Sequence, residues 1–366
     1  MENIVYIIGA GFSAPLGVPV MSNFIEKSKD MYNTEPEKYK SFKKVFDIIK
    51  RHSMAKSYVN CDLLNIEELL SILEMEKQTR SASKNLQSYK DYLKKVIDFY
   101  TPNIKLKASL TTGKCPTSSH FFENQIQCDY AKFILTLLSC SIINYKNNFN
   151  VTNYTYEEYD PLGRDVNQID DSILNINNIF KFNIIQNSSK YNYSIITLNY
   201  DMIIENIVTD FFCNDFNENS LNMIKLHGSI DTDIVLPTWN KSNKKLSKNW
   251  INAFNKLKNA NQIRFLGYSL PKSDSYIKYF LINAISHCEN LKNIDVITID
   301  SDNETEKRYK DFFAFSKFRF VNKDLKSYFS IITPKNKKNG EEEDFTFALE
   351  DNKVITHNDF MNGKEL

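Results

Sequence analysis

The chain has 366 residues, 42% of them hydrophobic, and its 46 Lys and Arg nearly balance 45 Asp and Glu for a net charge of +1. That length fits one large domain or two modest ones with ample apolar residues for a core, and the charge excludes a global basic field for nucleic acid. Six cysteines without a C-x-x-C pair speak against a compact zinc cluster or a disulfide framework; with no apolar run near a membrane span and no basic signal-peptide start, the expectation is a soluble, cytoplasmic protein.

In chain order, Ile4–Ile8 reads as a buried strand. It runs into Gly9-Ala10-Gly11-Phe12-Ser13-Ala14-Pro15-Leu16-Gly17-Val18-Pro19, which holds three of the chain's 9 glycines. Glycines there let backbone pass close to a pyrophosphate, and free N–H groups at a following helix start bind its charge. Residues 25–189 are mostly helical in pattern, as in Phe42–Ile49, Ile66–Leu73 and Tyr130–Leu138, with loops expected over 101–120 and 148–170. From 190 onward strands alternate with helices. The strands are Tyr193–Leu198, Met223–Leu226, Ile263–Leu266 and Ile294–Ile299; the helices are Met202–Phe212, Trp250–Lys258 and Ser275–His287.

Such alternation predicts an α/β fold, a Rossmann-like doubly wound parallel sheet. Residues 1–24 and 190–330 would form it, 25–189 would be a large helical insertion or cap, and 331–366 a charged C-terminal tail or arm around the run Lys335–Glu343.

Three further motifs end predicted strands: Thr197-Leu198-Asn199-Tyr200-Asp201, His227-Gly228-Ser229 and Gly267-Tyr268-Ser269-Leu270-Pro271. In an open parallel sheet the ligand lies beyond the carboxyl ends of the strands, so these would face the crevice that the glycine turn faces. Each has a structural alternative: Asn199 as a helix cap, His227 as a satisfied core histidine, Gly267 as a strand end.

Together the four motifs resemble the Sir2 (sirtuin) family: Gly-Ala-Gly-x-Ser with Gly-x-Pro, Thr-x-Asn-x-Asp, His-Gly and Gly-x-Ser in that order. Val235–Lys241 followed by Gly267–Pro271 is similar to the prokaryotic Sir2-like branch of anti-phage defence. The chain departs from the deacetylases in two places. No cysteine stands between His227 and Gly267, so the zinc ribbon is not expected and no metal is assigned; Val20–Phe24 lack the Asp and Arg found there in deacetylases.

The resemblance implies NAD+ as a substrate, cleaved to nicotinamide and ADP-ribose by a glycohydrolase that depletes NAD during phage infection. It implies His227 as base, with an ordinary pKa of roughly 6.5. Asn199 would hold the ribose or water and Asp201 the carboxamide. Gly9, Ala10, Gly11 and Ser13 would hold the pyrophosphate. Gly267 and Ser269 would line the adenosine side, Asp300 would accept from the adenosine ribose, and Pro19 and Gly228 complete the set. A homo-oligomer is implied, with a HerA-like ATPase or other defence partner and neither membrane nor direct nucleic-acid binding. Two alternatives stay open: a deacylase or ADP-ribosyltransferase, and a non-catalytic NAD- or ADP-ribose-binding subunit of an ATPase or nuclease assembly.

Overall fold

The computed structural model describes residues 1–54, 58, 65–80, 83–104, 124–137, 140–144, 181–184, 191–212, 222–232, 234, 244–272, 274–332 and 350–364. Val235–Lys241, the charge run Lys335–Glu343 and nearly all of both predicted loops lie outside them.

A six-stranded, all-parallel sheet is built from β1 (Glu2–Ile8), β4 (Tyr191–Thr197), β5 (Met223–Lys225), β6 (Gln262–Leu266), β7 (Asn293–Thr298) and β8 (Phe318–Asn322). Across the sheet the order is β5-β4-β1-β6-β7-β8. Counting only these strands along the chain, that is 3-2-1-4-5-6, the doubly wound order of a Rossmann-like fold. β1 lies between β4 and β6, where the winding reverses, and that reversal opens a crevice at the carboxyl ends.

Burial on both faces explains why β1 reads as a continuous apolar run, Ile4–Ile8, rather than an alternating one. Ile4, Tyr6 and Ile8 point to one face, with Tyr193 and Ile195. That face is covered by α5 (Gln125–Leu137), α6 (Ile203–Phe212), α10 (Leu325–Ile332) and α11 (Glu350–Met361). Val5, Ile7, Phe265 and Val296 point to the other, under α7 (Lys244–Lys258), α8 (Ser275–Ser286) and α9 (Glu304–Phe312).

A third core belongs to the insertion. α1 (Phe24–Thr34), α2 (Phe42–Ser53), α3 (Ile66–Arg80) and α4 (Ser83–Tyr100) pack Phe24, Phe42, Leu69, Leu70, Tyr89 and Leu93 together. Tyr200 and Ile234 join this cluster, so the insertion closes onto the turn that follows β4.

Four elements differ from the pattern expected. Within the largely helical stretch, β2 (Cys140–Asn144) and β3 (Lys181–Ile184) pair antiparallel. β8 was absent from the expected strands: it is a sheet-edge strand, only half-buried, and carries Arg319 and Asn322. Finally, α11 falls in the predicted tail, yet Phe360, Met361 and His357 are buried against the sheet.

α11 docks through a polar network. Asp295, fully buried in β7, accepts from Arg319 Nε and Nη2 at 2.7 and 2.8 Å and from His357 Nε2 at 3.0 Å. The Tyr328 hydroxyl donates to His357 Nδ1 at 2.8 Å. Burial, reinforced by Arg264, holds His357 down to about 3, so the imidazole is neutral at pH 7. Burial raises the Asp295 carboxyl, but its hydrogen bonds from His357 and Arg319 outweigh that and hold it at about 2. An unfolded Asp titrates near ~3.9, so this stabilisation is complete above about pH 4 and is lost as pH falls toward 2. Arg319→Met is therefore expected to cost about 2 kcal/mol at pH 7. In urea unfolding across pH the gap from wild type should close below roughly pH 3.

Candidate active site

The glycine turn is formed by two short 3-10 turns, Ala10–Phe12 and Ala14–Leu16, and no α-helix begins until Phe24. The helix start expected after Pro19 is present: a 3-10 turn over Met21–Asn23 leads into α1. The N–H groups of the glycine turn itself are largely spent inside the protein. Gly9 donates to the Leu266 carbonyl at 3.0 Å, Gly11 to that of Gly267 at 2.8 Å, Phe12 to Gly9 and Ser13 to Ala10.

What the glycines supply is closeness between the ends of β1 and β6. A Cβ on Gly9 would lie 2.7 Å from Tyr268 Cα, and one on Gly11 2.8 Å from the Gly267 carbonyl oxygen. Gly267 is itself in the left-handed region, with φ +61. Backbone meets backbone at the switch point, and no side chain fits between.

Three polar side chains meet beside this turn. Ser13 Oγ donates to Asp201 Oδ2 at 2.7 Å and accepts from Asn199 Nδ2 at 3.0 Å. Asp201 Oδ1 also accepts from the Ile203 amide at 3.2 Å, capping α6. Behind them Lys225 pairs with Glu205 at 2.7 Å, donates to Ser229 Oγ at 3.1 Å and reaches the Asp201 carbonyl. The turn after β4 and the His-Gly turn after β5 are thereby tied together.

Between the switch point and the insertion lies a cavity of about 720 Å³. Of the residues expected at the site, Gly9, Ala10, Gly11, Pro19, Asn199, Asp201, Gly267 and Ser269 are on its wall. Four are not. Ser13 is buried behind Asn199 and Asp201. His227, 1% exposed, sits with its ring 6.1 Å from Tyr200 and 6.2 Å from Trp250. Gly228 follows it with φ 75, in the left-handed region. Asp300 spends both carboxylate oxygens on the Thr305 and Glu306 amides, at 3.1 and 2.8 Å, at the start of α9.

Burial changes the chemistry expected of His227. It pushes the imidazole down to about 4 instead of the ordinary 6.5, and among the described residues Nδ1 has no hydrogen-bond partner. His227 is a neutral imidazole at physiological pH.

The wall also carries residues that motif reading passed over: Glu67 from α3, Tyr200, Tyr268, Asp274, Thr298 and Lys323. Asp274 caps α8, accepting from the Ile277 amide at 3.4 Å and the Tyr268 hydroxyl at 2.5 Å. An Asp before an apolar helical run is a readable cap signal. Glu67 gave no such signal, because an acidic first turn is ordinary in a surface helix. Among the described residues no group of three His, Cys, Asp or Glu side chains is placed to hold a metal, and no helix is long and apolar enough to cross a membrane.

No family model matches the chain, and no curated protein matches it. Among solved structures, a Sir2 in complex with the inhibitor EX-527, 2'-O-acetyl-ADP-ribose and a deacetylated p53 peptide aligns with 90% of this chain and 91% of its own. Identity is 11% and the TM-score 0.32, a likeness too loose to assign a function.

Proposed function

We propose that the chain is an NAD+ glycohydrolase of Sir2-like type, which cleaves NAD+ to nicotinamide and ADP-ribose. The observation that carries the reading is that Asn199 and Asp201, linked through the buried Ser13, line a switch-point cavity together with Gly9, Gly11 and Gly267. A dinucleotide belongs in such a crevice. A hydride-transfer site has no need for a strand-end Asn and Asp locked to the turn that would hold the pyrophosphate.

Nicotinamide is already cationic in NAD+ and leaves neutral, so no general acid has to protonate it. Positive charge builds on the ribose as the C1′–N1 bond lengthens, and fixed dipoles and carboxylates around it lower the barrier. In this reading Asn199 positions the nicotinamide ribose and Asp201 takes the carboxamide. Gly9, Ala10 and Gly11 approach the pyrophosphate, with Gly267 and Ser269 on the adenosine side. Ser13 acts by holding Asn199 and Asp201 in place. His227 lies one layer behind Tyr200, and as a neutral imidazole it accepts a hydrogen bond from a ribose hydroxyl once the Tyr200 ring yields to NAD+, orienting and polarising that hydroxyl without removing its proton. Asp300, tied to α9, shapes the adenosine end through the backbone.

The same reading places the protein in the cytoplasm as an oligomer in anti-phage defence, held to a low basal rate until a HerA-like ATPase or other partner raises it, because unrestrained NAD+ hydrolysis is toxic. Incubation of the purified protein with NAD+ should release nicotinamide and ADP-ribose in equal amounts by chromatography, and cellular NAD+ should fall after phage infection. ADP-ribose label appearing on protein, with none free, would reject hydrolysis in favour of transfer.

A further inference from the structure

The insertion does more than cover the cavity. It sends Glu67, from the first turn of α3, onto the wall that Asn199, Tyr200 and Asp201 line from the sheet side. The groups facing Glu67 come from four places. Asp274 and Tyr268 follow β6, Tyr200 follows β4, Tyr89 belongs to α4, and Glu74 lies on α3 itself near Tyr200.

Two observations distinguish this end of the cavity from an ordinary acidic patch. Tyr200 is 7% exposed and on the wall, yet its buried hydroxyl has no hydrogen-bond partner among the described residues. A buried hydroxyl without a partner is costly and points to a ligand group that satisfies it. The two carboxyls are also unequal. Burial raises the Asp274 carboxyl as well, but two donors, from Tyr268 and Ile277, favour its anion and offset part of that rise. Burial, with the charge of Asp274 beside it, pushes Glu67 up to about 8. Glu67 is therefore the carboxyl that exchanges a proton near physiological pH.

We propose that Glu67 accepts the proton of the water that attacks C1′ of the nicotinamide ribose, so that the helical insertion supplies a catalytic group to the sheet's site; this rests on the NAD+ reading above. The water oxygen bonds to C1′ as the C1′–N1 bond breaks. The bonding pair leaves with nicotinamide, which becomes neutral, and the water proton passes to the Glu67 carboxylate. His227 only accepts a hydrogen bond from the ribose hydroxyl, so the single net proton of hydrolysis goes to Glu67.

The test is the pH dependence of kcat/KM for nicotinamide release by the full chain with NAD+. Wild type should rise about tenfold per pH unit up to near pH 8 and then level off. Glu67→Gln, which copies the shape of the neutral carboxyl, should lose that limb and at least ~30-fold in kcat at pH 8, with KM and Tm little changed. Glu67→Asp keeps a carboxyl and should keep the limb at a reduced rate, which covers the case of a Gln variant that fails to fold. Equal profiles in wild type and the variants overturn the proposal and leave NAD+ cleavage standing. A wild type that releases no nicotinamide overturns both.

Discussion

Asn199→Ala is expected to slow nicotinamide release at least ~100-fold, and His227→Ala by a similar factor. Neither change should act through stability alone. Asn199 contributes one side-chain hydrogen bond, to Ser13, worth ~1 kcal/mol of folding free energy. His227→Ala empties a ring position between Tyr200 and Trp250, so His227→Phe is the better control: it fills the space and should stay inactive. The pH profile separates the roles. Because burial holds the imidazole at about 4, its limb should leave kcat/KM unaffected by His227 above pH 6 and depress it below about pH 5. An acid limb at 6.5 would mean a solvated histidine and a different base. Variants indistinguishable from wild type in both rate and profile would remove Asn199 and His227 from the chemistry.

Gly267→Ala should be the most damaging single-methyl change in the sheet. Its Cβ would sit 2.3 Å from the Phe12 nitrogen and 2.4 Å from the Gly11 carbonyl carbon, both backbone atoms, at a φ of +61. Left-handed strain costs about 1–2 kcal/mol and forced overpacking about 1–3 or more, which together predict a loss of about 3–5 kcal/mol in urea unfolding. Gly17→Ala isolates the strain. Its φ is +98 but nothing lies within 4 Å of the added atom, so only about 1 kcal/mol should be lost. If the two variants lose the same amount, the close approach of β1 and β6 is not what the glycine at 267 serves.

The sheet was largely legible in the sequence because its inner strands are buried on both faces: Ile4–Ile8 stands out as an unbroken apolar run, and Ile294–Ile299 as an apolar run broken only by Asp295 and Thr298. β8 escaped because an edge strand is half-wet and Arg319 and Asn322 interrupt the pattern. α11 escaped because what docks it is His357 meeting Asp295, a partner 62 residues away. At the site, strand-end residues were legible through topology alone: once strands alternate with helices, Asn199, Asp201 and Gly267 must share an edge. Glu67 was not, since its place depends on how α3 folds back over the sheet. The basicity of His227 was misjudged for a related reason. Residue type sets its ordinary pKa, but Tyr200, Trp250 and the surrounding fold set its burial.

The central strand is synthesised long before the two strands that flank it. Ser13 waits for Asp201, 188 residues on, and the glycine turn waits for Gly267. At ribosomal speeds of about 5–20 residues per second, residues 1–20 emerge on the order of ten seconds or more before β4. A nascent chain that stops before Gly267 cannot close the edge shared by the glycine turn, Asn199 and Asp201. On the proposed reading, such an early translation product is inert toward NAD+.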